Sequence, residues 1–277
     1  MKRNWIDNKT VVISGASSGM GKGIAISLIK KHGCKVIGIG RSEEKMKKLK
    51  EELGEYSSQF DYRLFDVSSR DNWIHFAVEL KRSKQEVDVL INNAGMLPKF
   101  DKFSNYSDDE IEMVMKTNFF SAVYAMHAML PILMKSKKPA IINVSSSASL
   151  MSIAGTSAYS ASKAALRALT EAMREELRGK CYVGIICPGF TKTDIFRNQS
   201  SFDSRSRNLI DKIITDCDVM VDNIMEDIKK KKALAVHGFD AKAMNYGNKL
   251  APVLGSRIFS LVLKYAKTPL FEDVFKK

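Results

Sequence analysis

The stretch TVVISGASSGMGKGIAISLIKKH, residues 10–32, changes character in its middle. Residues 10–14 are a short β-type run, and a helical pattern extends from about Met20 to His32. Between them lies a turn holding Gly15, Gly19 and Gly21. A glycine-rich turn that leaves a strand and opens a helix suits a phosphate: the backbone is free, its N–H groups are exposed, and the helix dipole presents its positive end. Gly15, Ser17, Ser18, Gly19, Met20 and Gly21 are therefore expected against a cofactor. The spacing is G-x-x-x-G-x-G, not the commoner G-x-G-x-x-G.

Two decoys share these letters. Gly15-Ala16-Ser17-Ser18-Gly19 fits G-x-S-x-G, a nucleophile elbow that needs an aspartate and a late histidine, for which His237 is the main candidate. Such an elbow normally follows several strands, whereas this one follows the first. Ser160 and Lys163 fit S-x-x-K, but the companion S-D-N and K-T-G boxes are missing.

Outward from the turn, β-type runs and helical patterns alternate. Strands are expected at 35–40, 62–67, 87–92, 140–145, 182–187 and 233–238. Helices are expected at Glu43 to Leu53, Asp71 to Lys81 and Asp108 to Met134, the last bent or broken at Pro131. The runs are short and apolar on both sides, as buried parallel strands are, so a doubly wound sheet covered on both faces follows. No repeat or low-complexity linker divides the chain, and residues 1–277 read as one domain.

Composition narrows the function classes. Hydrophobic residues make up 45% of the 277, which excludes a disordered chain. The net charge is +13, yet the lysines are scattered and no arginine-rich or aromatic-interleaved stretch appears. That argues against nucleic acid and for solubility and attraction of anionic ligands. Cys34, Cys181, Cys187 and Cys217 form no Cys-x-x-Cys pair, and no zinc spacing exists with the four histidines, so no metal is expected. A reducing compartment fits. The first residues lack a signal peptide's apolar stretch and no run approaches a membrane span, so a cytoplasmic location is expected.

The second strand ends at Gly40, followed by Arg41 and Ser42. A dinucleotide site usually carries an acid about 20 residues past the glycines, for the ribose 2′-hydroxyl. None stands at this tip. An arginine fork fits a 2′-phosphate instead, which favours NADP(H) over NAD(H). Glu43 and Glu44 are expected in the next helix's first turn, where its dipole favours them.

Further on, AYSASKAAL at 158–166 places Tyr159 four residues before Lys163. Leu166, Leu169, Met173 and Leu177 make an apolar helical stripe downstream, so Tyr159 and Lys163 share a helix face. A nearby ammonium favours the phenolate and lowers the tyrosine pKa, and such a phenol can give or take a proton.

Several motifs, in order, resemble the short-chain dehydrogenase/reductase family over roughly residues 8–194. SGASSGMG resembles its cofactor turn, with Ser14 where threonine is more usual. Asp66-Val67 resembles the pair that contacts adenine. NNAG at Asn92–Gly95 resembles its fourth-strand motif and would set Asn93, Ala94 and Gly95 beside the cofactor. Asn118, Ser146, Tyr159 and Lys163 resemble its catalytic tetrad. Pro188, Gly189, Thr191 and Thr193 belong to PGFTKT, which resembles the segment that holds the nicotinamide carboxamide.

The resemblance implies an α/β Rossmann-type doubly wound parallel sheet of about seven strands, order 3-2-1-4-5-6-7, with helices on both faces. It implies hydride transfer between nicotinamide and a ketone or secondary alcohol, in a homodimer or homotetramer. Tyr159 would donate the proton, Ser146 would hydrogen-bond the reacting oxygen, Lys163 would lower the Tyr159 pKa and bind ribose, and Asn118 would complete a water path. Ser146 stands thirteen residues before Tyr159, the usual family spacing, and is preferred to Ser145 and Ser147. A non-catalytic NADP(H) sensor or scaffold on the same fold is the alternative, and the retained tetrad argues against it.

Substrate choice is expected in the segment at about 190–230. Ile195, Phe196, Phe202, Leu209, Ile210, Ile213, Ile214, Met220, Val221, Ile224 and Met225 make it apolar, and Met96, Leu97, Phe100 and Phe103 add to it. A steroid, bile acid or lipid-chain ketone suits such a pocket; packing of these side chains on the sheet is the competing reading. Arg205 and Arg207 would meet an acidic group or water. An extension at 239–277 includes SRIFSLVLKYAK (256–267), flanked by basic residues. Peripheral membrane contact is one reading of it, and packing on its own domain or a second subunit is the preferred one.

Overall fold

Short strands that are apolar on both faces need cover on both sides, and the chain supplies it with helices between successive strands. The computed structural model describes residues 4–193, 214–265 and 271–275. Its strands are β1 (Thr10–Ser14), β2 (Lys35–Gly40), β3 (Phe60–Leu64), β4 (Val89–Asn92), β5 (Ala140–Val144), β6 (Tyr182–Pro188) and β7 (Leu234–His237). All pair in parallel, in the order β3-β2-β1-β4-β5-β6-β7. The intervening helices are α1 (Gly19–His32), α2 (Glu43–Glu52), α3 (Arg70–Arg82), α4 (Asp108–Met115), α5 (Ser121–Leu133), α6 (Ser157–Glu176) and α7 (Cys217–Lys229). After β7 come α8 (Phe239–Leu250), α9 (Pro252–Tyr265) and α10 (Glu272–Phe275).

Strand alternation divides the core. Val11 and Ile13 of β1, Val89 and Ile91 of β4, and Ala140 and Ile142 of β5 face one layer with α1, α2 and α7. Val12, Leu90 and Ile141, one residue out of step, face the other layer with α3, α5 and Leu166 of α6. Full burial of an isoleucine such as Ile13 contributes about 1.5–3 kcal/mol. A one-residue slip would exchange the two sets.

Three expectations shift. The third strand spans 60–64 rather than 62–67, because Asp66 turns the chain out of the sheet: its Oδ1 accepts from the N–H and hydroxyl of Ser68 at 2.9 and 2.8 Å. The long helix at 108–134 is interrupted by a π turn over Lys116–Phe120, not at Pro131. Pro131 lies in the last turn of α5 on an exposed face, where the lost hydrogen bond costs little. Met220, Val221, Ile224 and Met225 sit in the α1–α7 core, where they pack on the sheet; a Cβ on Gly23 of α1 would lie 2.7 Å from Val221. Ile195, Phe196, Phe202, Arg205, Arg207, Leu209, Ile210 and Ile213 lie outside the described residues.

This topology fixes where a ligand can sit. β1 pairs with β2 on one side and β4 on the other, so the connections leave in opposite directions. The crevice beyond the strand ends at such a point is the usual ligand site of an open α/β sheet. The glycine turn after β1 and the Asn92–Gly95 segment after β4 both open onto it.

Candidate active site

The glycine turn is shaped by contacts that exclude side chains. Gly15 has φ +70°, and a Cβ there would lie 3.0 Å from the Ala94 backbone. A Cβ on Gly21 would collide with the Gly15 carbonyl, so α1 starts tight against the turn. Ser14 and Asn93 pin the turn to β4. The Ser14 hydroxyl accepts from the N–H groups of Asn93 and Ala94 at 3.0 and 3.1 Å, and Asn93 Nδ2 donates to the carbonyls of Ser14 and Gly15 at 3.1 and 3.2 Å. Serine thus does here what a hydroxyl at this position needs to do. The N-terminus of α1 has no side-chain cap and no acid in its first turn, which leaves its N–H groups and dipole for an anion.

A cleft of about 740 Å³ runs from this turn along the strand ends. Gly15, Ser17, Ser18, Gly19 and Met20 form one wall, Arg41, Asp66 and Val67 a second, and Asn93, Ala94, Gly95 and Thr193 the inner end. Arg41 is exposed and forms no ion pair or hydrogen bond with the described residues. The two acids after it are held elsewhere: Glu43 pairs with Lys47 at 2.9 Å and Glu44 with Lys48 at 2.7 Å. Ser42 does not line the cleft; its hydroxyl caps α2 by accepting from Lys45 N at 3.3 Å. Gly21 likewise serves packing rather than lining.

At its inner end the cleft meets a narrow cavity of about 70 Å³. Met20, Asn93, Gly95 and Thr193 border both spaces. Ser146, Tyr159 and Lys163 line the cavity together with Pro188, Gly189 and Thr191, and Leu97, Phe100 and Ile153 make its apolar wall. Met96 borders the cleft, while Phe103 is 69% exposed and lines neither.

The three serines after β5 separate by their partners. Ser145 is buried with its hydroxyl donated to the Lys163 carbonyl at 2.9 Å. Ser147 is buried too. All three border the cavity, but Ser146 is the half-buried one and the one hydrogen-bonded to the Tyr159 phenol.

Tyr159 and Lys163 lie on one face of α6, as the four-residue spacing implies, with the ammonium 5.9 Å from the ring centroid. The effect on the phenol is the reverse of that expected. Burial pushes the Tyr159 pKa up, opposed only by the Ser146 hydrogen bond, and Lys163 does not offset it. Burial also lowers the Lys163 ammonium to about 8. Its Nζ donates to the Val144 carbonyl at 3.1 Å, which leaves two of its three donors. A Cβ on Gly95 would lie 3.2 Å from that Nζ.

Asn118 stands behind the cavity on the π turn and is 1% exposed. Its Nδ2 donates to the Met96 carbonyl at 2.9 Å and to the Ser162 hydroxyl at 3.0 Å, and its Oδ1 accepts from Met96 N at 2.7 Å. The side chain therefore ties the segment after β4 to α6, with both Nδ2 donors used.

The hydrolase reading fails on topology. Ser17 follows β1 and His237 ends β7, four strand spacings away, roughly 19 Å. His237 is hydrogen-bonded to Asp227 at 2.7 Å, and Ser160 is buried with its hydroxyl 2.8 Å from that of Thr156. Asp240 escaped the sequence reading. It is 5% exposed in the first turn of α8, and its Oδ2 accepts from Phe190 N at 2.8 Å, inside the Pro188–Thr193 segment. The signal was an acid just after the last strand.

The sequence model of the short chain dehydrogenase family matches residues 9–204. The chain is 30% identical over 270 residues to Dehydrogenase/reductase SDR family member 7B of Danio rerio, covering 94% of this chain and 87% of that protein. Its fold is similar to that of a short chain dehydrogenase from Escherichia coli complexed with NADPH, with a TM-score of 0.72, 23% identity, and 85% and 98% of the two chains covered. It is also similar to a 3-ketoacyl-(acyl-carrier-protein) reductase from Brucella melitensis complexed with NADH, with a TM-score of 0.73, 22% identity, and 83% and 96% covered. The family match takes in the glycine turn, the Asn92–Gly95 segment, the Tyr159 helix and the Pro188–Thr193 segment, and the chain belongs to the short-chain dehydrogenase/reductase family.

Proposed function

We propose that the chain is an NADP(H)-dependent oxidoreductase that interconverts a ketone and a secondary alcohol, with Tyr159 as the proton donor and acceptor. The observation that carries this reading is the convergence of Ser146, Tyr159 and Lys163 on one small cavity that opens into the glycine-walled cleft. The cofactor fits what the residues offer: an uncapped helix N-terminus for phosphates, an unpaired Arg41 for a 2′-phosphate, and glycines where a side chain would block the approach.

Bound nicotinamide supplies the hydride. The protein's residues handle the oxygen. In reduction, hydride reaches the carbonyl carbon and the Tyr159 O–H gives its proton to the carbonyl oxygen. Burial keeps that proton on the phenol at neutral pH, as a donor needs. Ser146 hydrogen-bonds the same oxygen while negative charge develops there. The Lys163 ammonium keeps two N–H donors for ribose hydroxyls. Asn118 holds the segment after β4 and α6 in register. Leu97, Phe100 and Ile153 favour an apolar substrate, of the hydroxysteroid, bile acid or lipid-like ketone kind. A single domain, a homodimer or homotetramer and a cytoplasmic setting complete the reading.

The test follows NADPH oxidation across steroids, bile acids, quinones, sugars and 3-oxoacyl thioesters, with NADH run in parallel. Tyr159→Phe should keep NADPH binding and lose about 10²–10⁴-fold in kcat. Near-normal turnover in that variant would remove Tyr159 from the chemistry. A higher kcat/KM with NADH would remove the role given to Arg41. Tight NADPH binding with no turnover anywhere in the panel would favour a sensor.

A further inference from the structure

Helices α8 and α9 repeat one surface pattern. On α8, Phe239, Ala243, Tyr246 and Leu250 stand at i, i+4, i+7 and i+11 and form one stripe, with Lys242 and Lys249 beside it at i+3 and i+10. On α9, Leu254, Ile258, Leu261 and Tyr265 repeat that spacing, and Arg257 and Lys264 repeat the offsets. The stripes face solvent: Phe239 is 86% exposed, Leu250 84%, Tyr265 74% and Ile258 52%. The helices pack on each other at Gly247 and Gly255, where a Cβ on Gly255 would lie 2.9 Å from the Gly247 carbonyl oxygen.

The core does not use these stripes. α9 sends Phe259 and Leu263 inward, into the cluster that holds Tyr159, Leu97 and Phe100. The opposite side of the same helix is left apolar. Exposed apolar stripes with basic neighbours on two helices packed together mark an interaction surface. The charge pattern selects the partner. Asp240 is the one carboxylate on either helix, and it is buried. None of the four cations forms an ion pair with the described residues. A second copy of this chain meeting the face across a two-fold axis would bring like charges together. A lipid surface with anionic headgroups supplies the apolar layer and the counter-charge in one plane. At 14 residues α9 is too short to span a bilayer.

We propose that the paired helices α8 and α9 dock on an anionic lipid surface, with both apolar stripes at the headgroup–acyl boundary and Lys242, Lys249, Arg257 and Lys264 on the headgroups. This rests on the surface alone and does not depend on the hydride chemistry.

The test is flotation of the full chain with vesicles of phosphatidylcholine, with and without phosphatidylserine. The chain should float with the anionic vesicles, less with the neutral ones, and less again as salt rises. Ile258→Asp with Leu261→Asp should lower the bound fraction on the order of tenfold on anionic vesicles. Arg257→Glu with Lys264→Glu should do the same there while leaving any binding to neutral vesicles unchanged. Circular dichroism melts check that each variant is folded; if the aspartate pair unfolds, the charge reversal, which alters no apolar contact, decides. Wild-type chain that stays below the vesicles at both compositions overturns the proposal. So do folded variants that float like wild type. A concentration-dependent dimer broken by Ile258→Asp, without flotation, assigns the face to a second copy and overturns it as well.

Discussion

Burial acts on Tyr159 and Lys163 in the same physical sense and in opposite directions on their pKa values: each neutral form is favoured, so the phenol rises and the ammonium falls to about 8. The sequence showed that the two share a helix face. It did not show the direction of the phenol's shift, because a four-residue spacing encodes proximity and says nothing of desolvation. The same limit applied to Ser146, whose neighbours are chemically identical and differ only in partners. The Lys163 shift has a measurable consequence. Below pH 8 the folded chain holds a buried ammonium that the unfolded chain hydrates, so the penalty is full there. Between 8 and the unfolded value of 10.5 the unfolded chain binds the extra proton, so the lysine's penalty fades as pH rises. Lys163→Met should therefore raise the thermal midpoint by several degrees at pH 7. The gain should shrink through that window and vanish above it. Melts of both proteins from pH 6 to about pH 11 check this; a gain that does not change with pH would mean that packing, not charge, accounts for it.

Elements were legible where periodicity was strong and local. The short apolar runs of β1, β4 and β5 and the stripe of α6 came straight from residue type. Interruptions were not legible. The π turn at Lys116–Phe120 carries no glycine or proline, and the bonds that Asn118 makes from it to Met96 and Ser162 are long-range in sequence. Pro131, the visible breaker, breaks nothing because it falls in a last turn. The link between α8 and the Pro188–Thr193 segment was equally hidden, since fifty residues separate Asp240 from Phe190. That link orders a wall of the cavity. Its closeness also explains Gly189, where any Cβ would collide with the Asp240 carboxylate. Asp240→Ala removes the acceptor for Phe190 N–H and should weaken NADPH binding on the order of tenfold. Asp240→Asn keeps an acceptor oxygen and should restore most of the loss. Fluorescence titration with NADPH reads both. Wild-type affinity in the alanine variant would show that the segment holds its shape without α8.

At the scale of the whole molecule, the parallel doubly wound sheet followed from alternating strands and helices and its strand order from the family resemblance, while the outward face of α9 needed the structure, because an apolar helix in sequence does not say which side the core takes. Phe259 and Leu263 go in and Ile258 and Leu261 stay out, one residue apart or less than a turn away. Whether the two layers and the sheet form one cooperative unit can be read from the two tryptophans. Trp5 packs against the α1–α7 layer, edge-on to Tyr182 at 5.5 Å, with its Nε1–H donated to the Ile228 carbonyl at 2.8 Å. Trp73 is fully buried in the opposite layer, beside Phe65 and Phe76. Trp5→Phe leaves a reporter of one layer, and Trp73→Phe a reporter of the other. In urea, each variant's fluorescence should change at the same midpoint as its own far-ultraviolet circular dichroism, as an all-or-none transition requires. Trp73→Phe should lower the midpoint more, because its ring leaves a void in a closed core whereas Trp5 is half-buried. β1, β2, β4, β5 and β6 each contribute side chains to both layers, so neither layer can lose its packing while the sheet survives. Fluorescence that moves well before circular dichroism in either variant would show a layer that melts alone, and the single-domain reading would then be wrong.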